Sequence, residues 1–287
     1  MAVLVDLQPL MIVSYVTIPD DQKTIKRFKN AFFDRLFEYV MPFTKHYGSI
    51  LLVAEGGRSW RKDVYPFYKA NRIRDIEKSP KKKADHAKMI EWFKFLCEDI
   101  DKYKILRILK TEGAEADDII GLLASVADNP TVIISADKDF QQLQTNPNIK
   151  QYSLTQRKWI TCEDPKSFLI EHIVRGDGAD NIPSIRRPLY NEEDINRYAD
   201  KKKKTPPVTK RFLQDFMNGI DYELYEKRYK ENAQLIDLSK IPAHIKERII
   251  ETIGEQWKGD TTAAVNYFKD NDMGRFAIEF IQYKGGC

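Results

Sequence analysis

The stretch Thr131-Val132-Ile133-Ile134-Ser135-Ala136-Asp137-Lys138-Asp139 decides the fold. Four β-branched residues in a row, too few for a helix, read as a buried strand, and two carboxylates follow it directly. The same pattern recurs upstream, where Ala2–Val5 ends at Asp6 and Ser49–Ala54 ends at Glu55. Lys104–Leu109 is a fourth candidate strand. Between these runs lie Thr24–Tyr39, Ala87–Cys97 and Asp117–Ala127, with apolar residues at helical spacing. Strands alternating with helices imply βαβ crossovers, so the expected fold is α/β, a mostly parallel central sheet flanked by helices. Such sheets bind ligands beyond the carboxyl ends of their strands. Here those ends are acidic.

Further on, Lys150–Leu154 and Arg157–Thr161 read as a hairpin, followed by a helix over Asp164–Val174. Arg186–Thr209 is charged, contains Pro188, Pro206 and Pro207, and reads as a long loop, with helices resuming at Lys210. The expected division is 1–164, a sheet-bearing core, and 165–287, a helical region. At 31% charged residues and a mean hydropathy of −0.53, no apolar run approaches a membrane helix. No basic segment precedes the first apolar run, which argues against a secretory signal. Cys97, Cys162 and Cys287 are too scattered for a disulfide framework or a zinc site, so a reducing, cytoplasmic setting is expected. Charge is uneven: residues 58–88 carry eleven Lys/Arg against four Asp/Glu, and residues 186–211 carry nine against four. Two basic segments on an otherwise acidic body suit a polyanion gripped in two places.

Nine carboxylates stand at strand or loop ends: Asp6, Glu55, Glu115, Asp117, Asp118, Asp137, Asp139, Asp177 and Asp180. Each has an ordinary explanation alone. Glu115-Ala116-Asp117-Asp118 suits a helix first turn, Asp137-Lys138-Asp139 a turn, and Gly176-Asp177-Gly178-Ala179-Asp180-Asn181 a cap. Gathered in one mouth they repel each other unless cations neutralise them, and oxygen-only ligands favour Mg²⁺ or Mn²⁺ over zinc. Two such ions roughly 4 Å apart activate a water and stabilise the leaving oxygen of a phosphodiester. His46, His86, His172 and His244 sit in unrelated contexts and are not expected in the chemistry. Trp92, Trp159, Trp257 and Cys97 read as packing residues.

These motifs resemble the 5′-nucleases, or flap endonucleases, especially the bacteriophage ribonuclease H branch. Val3-Leu4-Val5-Asp6 is similar to the family's first strand and first metal-binding aspartate. Glu115-Ala116-Asp117-Asp118-Ile119, Ser135-Ala136-Asp137-Lys138-Asp139-Phe140 and Arg175-Gly176-Asp177-Gly178-Ala179-Asp180-Asn181-Ile182-Pro183 resemble its later acidic motifs, in order. Tyr229-Lys230-Glu231-Asn232 and Leu235-Ile236-Asp237 resemble the phage branch. The resemblance implies a PIN-like 5′-nuclease core with a helical C-terminal region carrying a helix–hairpin–helix-like duplex-binding element. It implies an Mg²⁺-dependent structure-specific 5′-nuclease, a 5′-3′ exonuclease and flap endonuclease with RNase H activity, removing RNA primers and 5′ flaps during DNA replication. Two Mg²⁺ ions, with Mn²⁺ able to substitute, would sit among the nine carboxylates.

By the same resemblance Lys69 and Arg72 would clamp the scissile phosphate, and Tyr68 would stack on a terminal base. Residues 73–88 would form an arch over the single-stranded 5′ end. Arg58, Arg61, Lys62 and Lys81, Lys82, Lys83 from the first basic segment, and Arg186, Arg187 and Lys201, Lys202, Lys203, Lys204 from the second, would bind nucleic acid. Expected partners are branched DNA or RNA/DNA duplex with a 5′ single-strand end, and a replication clamp or single-strand-binding protein. A monomer in the (host-cell) cytoplasm, with no membrane contact, is expected. One departure is Glu55-Gly56-Gly57 where the family usually has Asp. A catalytically impaired nucleic-acid binder and a PIN-like single-strand ribonuclease are the alternatives.

Overall fold

The computed structural model describes residues 1–72, 79–187 and 205–285. Six strands form one sheet in the order β3-β2-β1-β4-β5-β6: β1 Ala2–Asp6, β2 Ser49–Val53, β3 Arg107–Leu109, β4 Thr131–Ile134, β5 Ile149–Ser153 and β6 Lys158–Ile160. Neighbours pair in parallel except β5 and β6, which form the expected antiparallel hairpin. Both β1 and β4 are buried along their length, which is why their sequences are continuously apolar rather than alternating. Strand β3 is shorter than Lys104–Leu109 because Lys104 takes φ +49 and the Ile105 amide still bonds Ile100 O, closing the preceding helix.

Among the described residues the α-helices of eight residues or more are α1 Leu7–Val16, α2 Ile25–Arg35, α3 Pro80–Lys102, α4 Ala116–Ser125, α5 Pro165–Arg175, α6 Lys210–Met217, α7 Tyr222–Ile236, α8 Ala243–Gly254, α9 Thr261–Asp270 and α10 Gly274–Gly285. Of the stretch 73–88 expected to form an arch, Pro80 sits in the first turn of the long helix α3, which carries Lys81–Lys83. Residues 73–78 lie outside the described residues. Buried residues of α9 and α10, among them Phe268, Phe276 and Phe280, share a cluster with Phe33 of α2 and with strand β1. Ile245 and Ile249 of α8 pack with the other face of the sheet. The C-terminal helices therefore complete the core that the sheet begins.

Chain order fixes where a ligand belongs. From β1 the chain steps outward to β2 and β3, then crosses back to lay β4 on the other side of β1. The crevice between the carboxyl ends of β1 and β4 is the switch point of a doubly wound sheet. Asp6 ends β1 there, and Ser135–Asp137 leaves β4 there.

Candidate metal and nucleic-acid site

Ser135 ties the two strand ends together: its hydroxyl donates to Asp6 Oδ2 at 3.0 Å and accepts the Asp137 N–H at 3.1 Å. Gln151, fully buried on β5, donates Nε2 to the carbonyls of Ser135 and Asp137 and so fixes that loop from below. Asp117 enters from α4, whose start is set by a capping box between Glu115 and Asp118. Asp6 is 7% exposed. Its carboxyl is pushed up to about 7, chiefly by burial and further by Asp137 and Glu55, against the pull of the Ser135 bond and Lys69. Burial, then Asp137 and Asp6, hold Asp117 well above the usual carboxylate range. Glu55, on the loop after β2, is also raised by burial, opposed by Lys69. That loop passes so close to the backbone at Thr111 that a Cβ on Gly56 would lie 1.5 Å from Thr111 O.

A second set of carboxylates already has cations. Arg61, 2% exposed, donates Nη1 and Nη2 to Asp118 at 3.0 and 2.8 Å, Nη1 to Glu115 Oε2 at 2.9 Å, and Nε to Leu235 O. Asp118 is fully buried and also accepts Trp60 Nε1 and the Glu115 N–H. Tyr68 OH lies 2.8 and 2.9 Å from Glu115 Oε2 and Asp180 Oδ2 and shares its single proton between the two carboxylates. Lys69 pairs with Glu115, and Arg72 Nη2 with Asp180 Oδ1 at 2.6 Å. Although burial opposes it, the Lys69 and Arg61 charges hold Glu115 below the usual range. Lys69 itself takes φ +56, uncommon for a side chain with a Cβ, and its N–H bonds Asp180 O.

The third group joins two motifs. Gly176, at φ +68, turns the chain out of α5; a Cβ there would lie 2.4 Å from Pro183. Asp177 then folds back beside His172, with His172 Nε2 3.2 Å from Asp177 Oδ2 and Nδ1 3.4 Å from Asp139 Oδ1. Lys138 Nζ reaches Asp177 Oδ2 at 3.0 Å. Burial and Asp137 push Asp139 up to about 7, while the His172 and Lys138 contacts hold Asp177 far below its ordinary range.

Residues 1–170 match the family model described as 5′-3′ exonuclease, N-terminal resolvase-like domain. The chain belongs to this family. It is 28% identical to ribonuclease H of Enterobacteria phage T4 over 220 residues, covering 72% of this chain and 70% of that one. It is also 28% identical to a 5′-3′ exonuclease of Buchnera aphidicola over 259 residues, covering 83% and 85%. Among solved structures, a bacteriophage T5 flap endonuclease pseudo-enzyme–product complex with DNA and metal ions superposes with a TM-score of 0.61 at 19% identity, covering 96% of this chain and 99% of that one.

In this family member the sequence-derived site divides into three. Asp6, Asp117 and Asp137, with Glu55 and Asp139 alongside, raise one another's carboxyls with little positive charge to offset them, while among the described residues the donor atoms that converge closely enough to share an ion are those of Asp139, His172 and Asp177. Asp118 stands apart: both its oxygens are committed to Arg61, Trp60 and the helix cap, and it serves as a buried counter-ion. Arg61 is correspondingly not on the nucleic-acid surface, because its guanidinium is enclosed by Asp118, Glu115 and Leu235. Tyr68, 3% exposed, has no free ring face for base stacking and instead bridges two carboxylates. Lys81–Lys83 are exposed in the first turns of α3, where the helix dipole disfavours cations. Arg58 is exposed beside Asp63, and Lys62 is half-buried. Arg186 packs over Phe212 and donates to Pro207 O. Arg187 is half-buried, and Lys201–Lys204 lie outside the described residues. Sequence reasoning missed Ser135, Gln151 and His172. Ser135 stands inside the quoted Ser135–Phe140 motif and His172 three residues ahead of the Arg175–Pro183 motif, but neither residue type marks a role on its own.

Proposed function

We propose that this chain is an Mg²⁺-dependent, structure-specific 5′-nuclease that hydrolyses phosphodiesters near the junction of a 5′ single strand with a duplex, removing primers and flaps in replication. The observation that carries the reading is the cluster of Asp6, Asp117 and Asp137 at the switch point, electrostatically incomplete without a cation and faced by Lys69. Asp6, Asp117 and Asp137 would hold one ion, with Glu55 beside them. Asp137, Asp139 and Asp177 would hold a second, and Glu115 and Asp180 would contribute through water. Bound there, the ions supply Lewis-acid stabilisation of the charge that develops as the phosphodiester breaks.

The chain's own residues do the rest. Lys69 and Arg72, at the rim on Glu115 and Asp180, exchange those partners for phosphate oxygens and hold the scissile group in place. Arg61 and Tyr68 keep Glu115, Asp118 and Asp180 in register from below. Lys81–Lys83 trade an unfavourable helix-dipole position for a polyanion, which suits contact with the 5′ strand. The second basic segment would grip the duplex, and the chain would act in the cytoplasm as a monomer, with a clamp or single-strand-binding protein as its replication partner. Among the described residues no helix is long and apolar enough to cross a membrane.

The test is cleavage of a 5′-labelled flap duplex with Mg²⁺ and with EDTA. Short 5′ products that need Mg²⁺ support the reading. Tight flap binding without cleavage in Mg²⁺ or Mn²⁺ would refute it, in favour of a catalytically impaired binder. Equal cutting of single-stranded RNA lacking a junction would point to a single-strand ribonuclease.

A further inference from the structure

One histidine just ahead of the last acidic motif is placed by the fold among the carboxylates rather than behind them. We propose that His172 is a metal ligand, its Nδ1 giving the second cation site, beside Asp139, a nitrogen donor. This inference rests on the metal-dependent function proposed above and concerns the composition of one of its sites.

His172 is 5% exposed, in the last turn of α5. Its two nitrogens are not equivalent. Nε2 lies 3.2 Å from Asp177 Oδ2 in hydrogen-bonding geometry, and Asp177 is held in turn by the Ala179 N–H at 2.7 Å. Nδ1 faces Asp139 Oδ1 at 3.4 Å, yet these two atoms make no hydrogen bond and both are buried without a partner. A cation seated beside Nδ1 and Asp139 Oδ1 would give both buried atoms a partner. A neutral ring that donates Nε2–H to a carboxylate and offers Nδ1 to a cation satisfies every atom, and it is the arrangement in which ligating histidines are commonly held. One donor atom each from Asp139, His172 and Asp177 lies within 4.8 Å of the others, close enough to share an ion.

The consequence is selectivity. Oxygen-only sites suit Mg²⁺ and Mn²⁺ alike, whereas an imidazole nitrogen disfavours the hard Mg²⁺ relative to the transition metals, Mn²⁺ the least favoured among them. This second site is therefore a mixed nitrogen–oxygen site that takes Mn²⁺ in preference to Mg²⁺. The other histidines are on other elements: His46 on the turn Thr44–Tyr47, His86 on α3 and His244 on α8.

Pulsed electron paramagnetic resonance of the full chain loaded with Mn²⁺ tests this directly. Imidazole ¹⁴N modulation is expected in the wild type and absent in His172→Asn. Mn²⁺ titration of His172→Asn should show the weaker of two sites lose about 10–100-fold in affinity, with Mg²⁺ affinity falling less. His172→Asp, which restores an oxygen donor, should bind Mg²⁺ at least as well as the wild type and show no nitrogen coupling. If His172→Asn does not fold, the wild-type spectrum alone decides. Two bound Mn²⁺ ions with no nitrogen coupling would overturn the ligand assignment while leaving the nuclease reading intact. No Mn²⁺ binding at all by the wild type would overturn both.

Discussion

Replacing Arg61 by Gln separates the structural account of this residue from the one its sequence suggests. The side chain is 2% exposed and makes four hydrogen bonds to Asp118, Glu115 and Leu235. Without it Asp118, fully buried, keeps only Trp60 Nε1 and the Glu115 N–H. Breaking a buried ion pair by removing one partner costs about 3–5 kcal/mol, because the remaining charge stays desolvated. At roughly 2–4 °C per kcal/mol for a domain of this size, Tm should drop by roughly 6–20 °C. Removing both charges in Arg61→Met with Asp118→Leu should recover much of the loss, since the Asp118 penalty disappears. The assay is thermal and urea unfolding in EDTA, alongside flap-duplex affinity of the folded variant. A loss under about 1 kcal/mol accompanied by weakened DNA binding would refute the reasoning and return Arg61 to the nucleic-acid surface.

Asp137→Asn should abolish Mg²⁺-dependent cleavage while leaving flap affinity nearly unchanged; parallel loss of both would remove Asp137 from the metal site. Lys69→Met should lower the single-turnover rate by about 10²–10³-fold, the scale of losing one stabilising donor, and a change confined to KM would contradict that role. In EDTA, Asp6 and Asp139, raised to about 7, bind protons more tightly folded than unfolded. Metal-free stability should therefore fall as pH rises from about 4 to 7 and level off above, and saturating Mg²⁺ should flatten the dependence; a Tm in EDTA that rises from pH 5.5 to 8 would contradict it. Gly56→Ala places a Cβ against the backbone at Thr111 and should cost on the order of 3 kcal/mol or more, read as lost soluble protein or a lowered Tm; a wild-type Tm would show that the loop can relax.

The sheet and the acidic mouth were legible because both are written in local patterns. A strand buried on both faces must be apolar throughout, as Thr131–Ile134 and Val3–Val5 nearly are, and a carboxylate directly after such a strand emerges at the carboxyl end of the sheet. Motifs Glu115–Asp118 and Asp177–Asp180 each have an ordinary explanation alone and were readable only as members of the set and through the family resemblance. What spacing could not tell was which acids already possess a cation. Asp117 and Asp118 are neighbours in sequence, but successive helical residues point about 100° apart. One faces Asp6 and Asp137; the other is turned to Arg61, which arrives from 57 residues upstream. Arg61 reads as a nucleic-acid contact because it stands in a basic segment, and Tyr68 by family resemblance, although Tyr65, Phe67 and Tyr68 also suit a buried aromatic cluster. The fold buries both, Arg61 between α4 and Leu235 of α7 and Tyr68 against Glu115 and Asp180. His172 is a lone histidine in sequence and a partner of Asp139 and Asp177 only once the Gly176 turn brings the Asp177 loop back on α5. Sequence determined the chemistry available at the mouth; tertiary structure decided its division between cation-seeking and cation-satisfied groups, because charge compensation depends on distances that run across the chain.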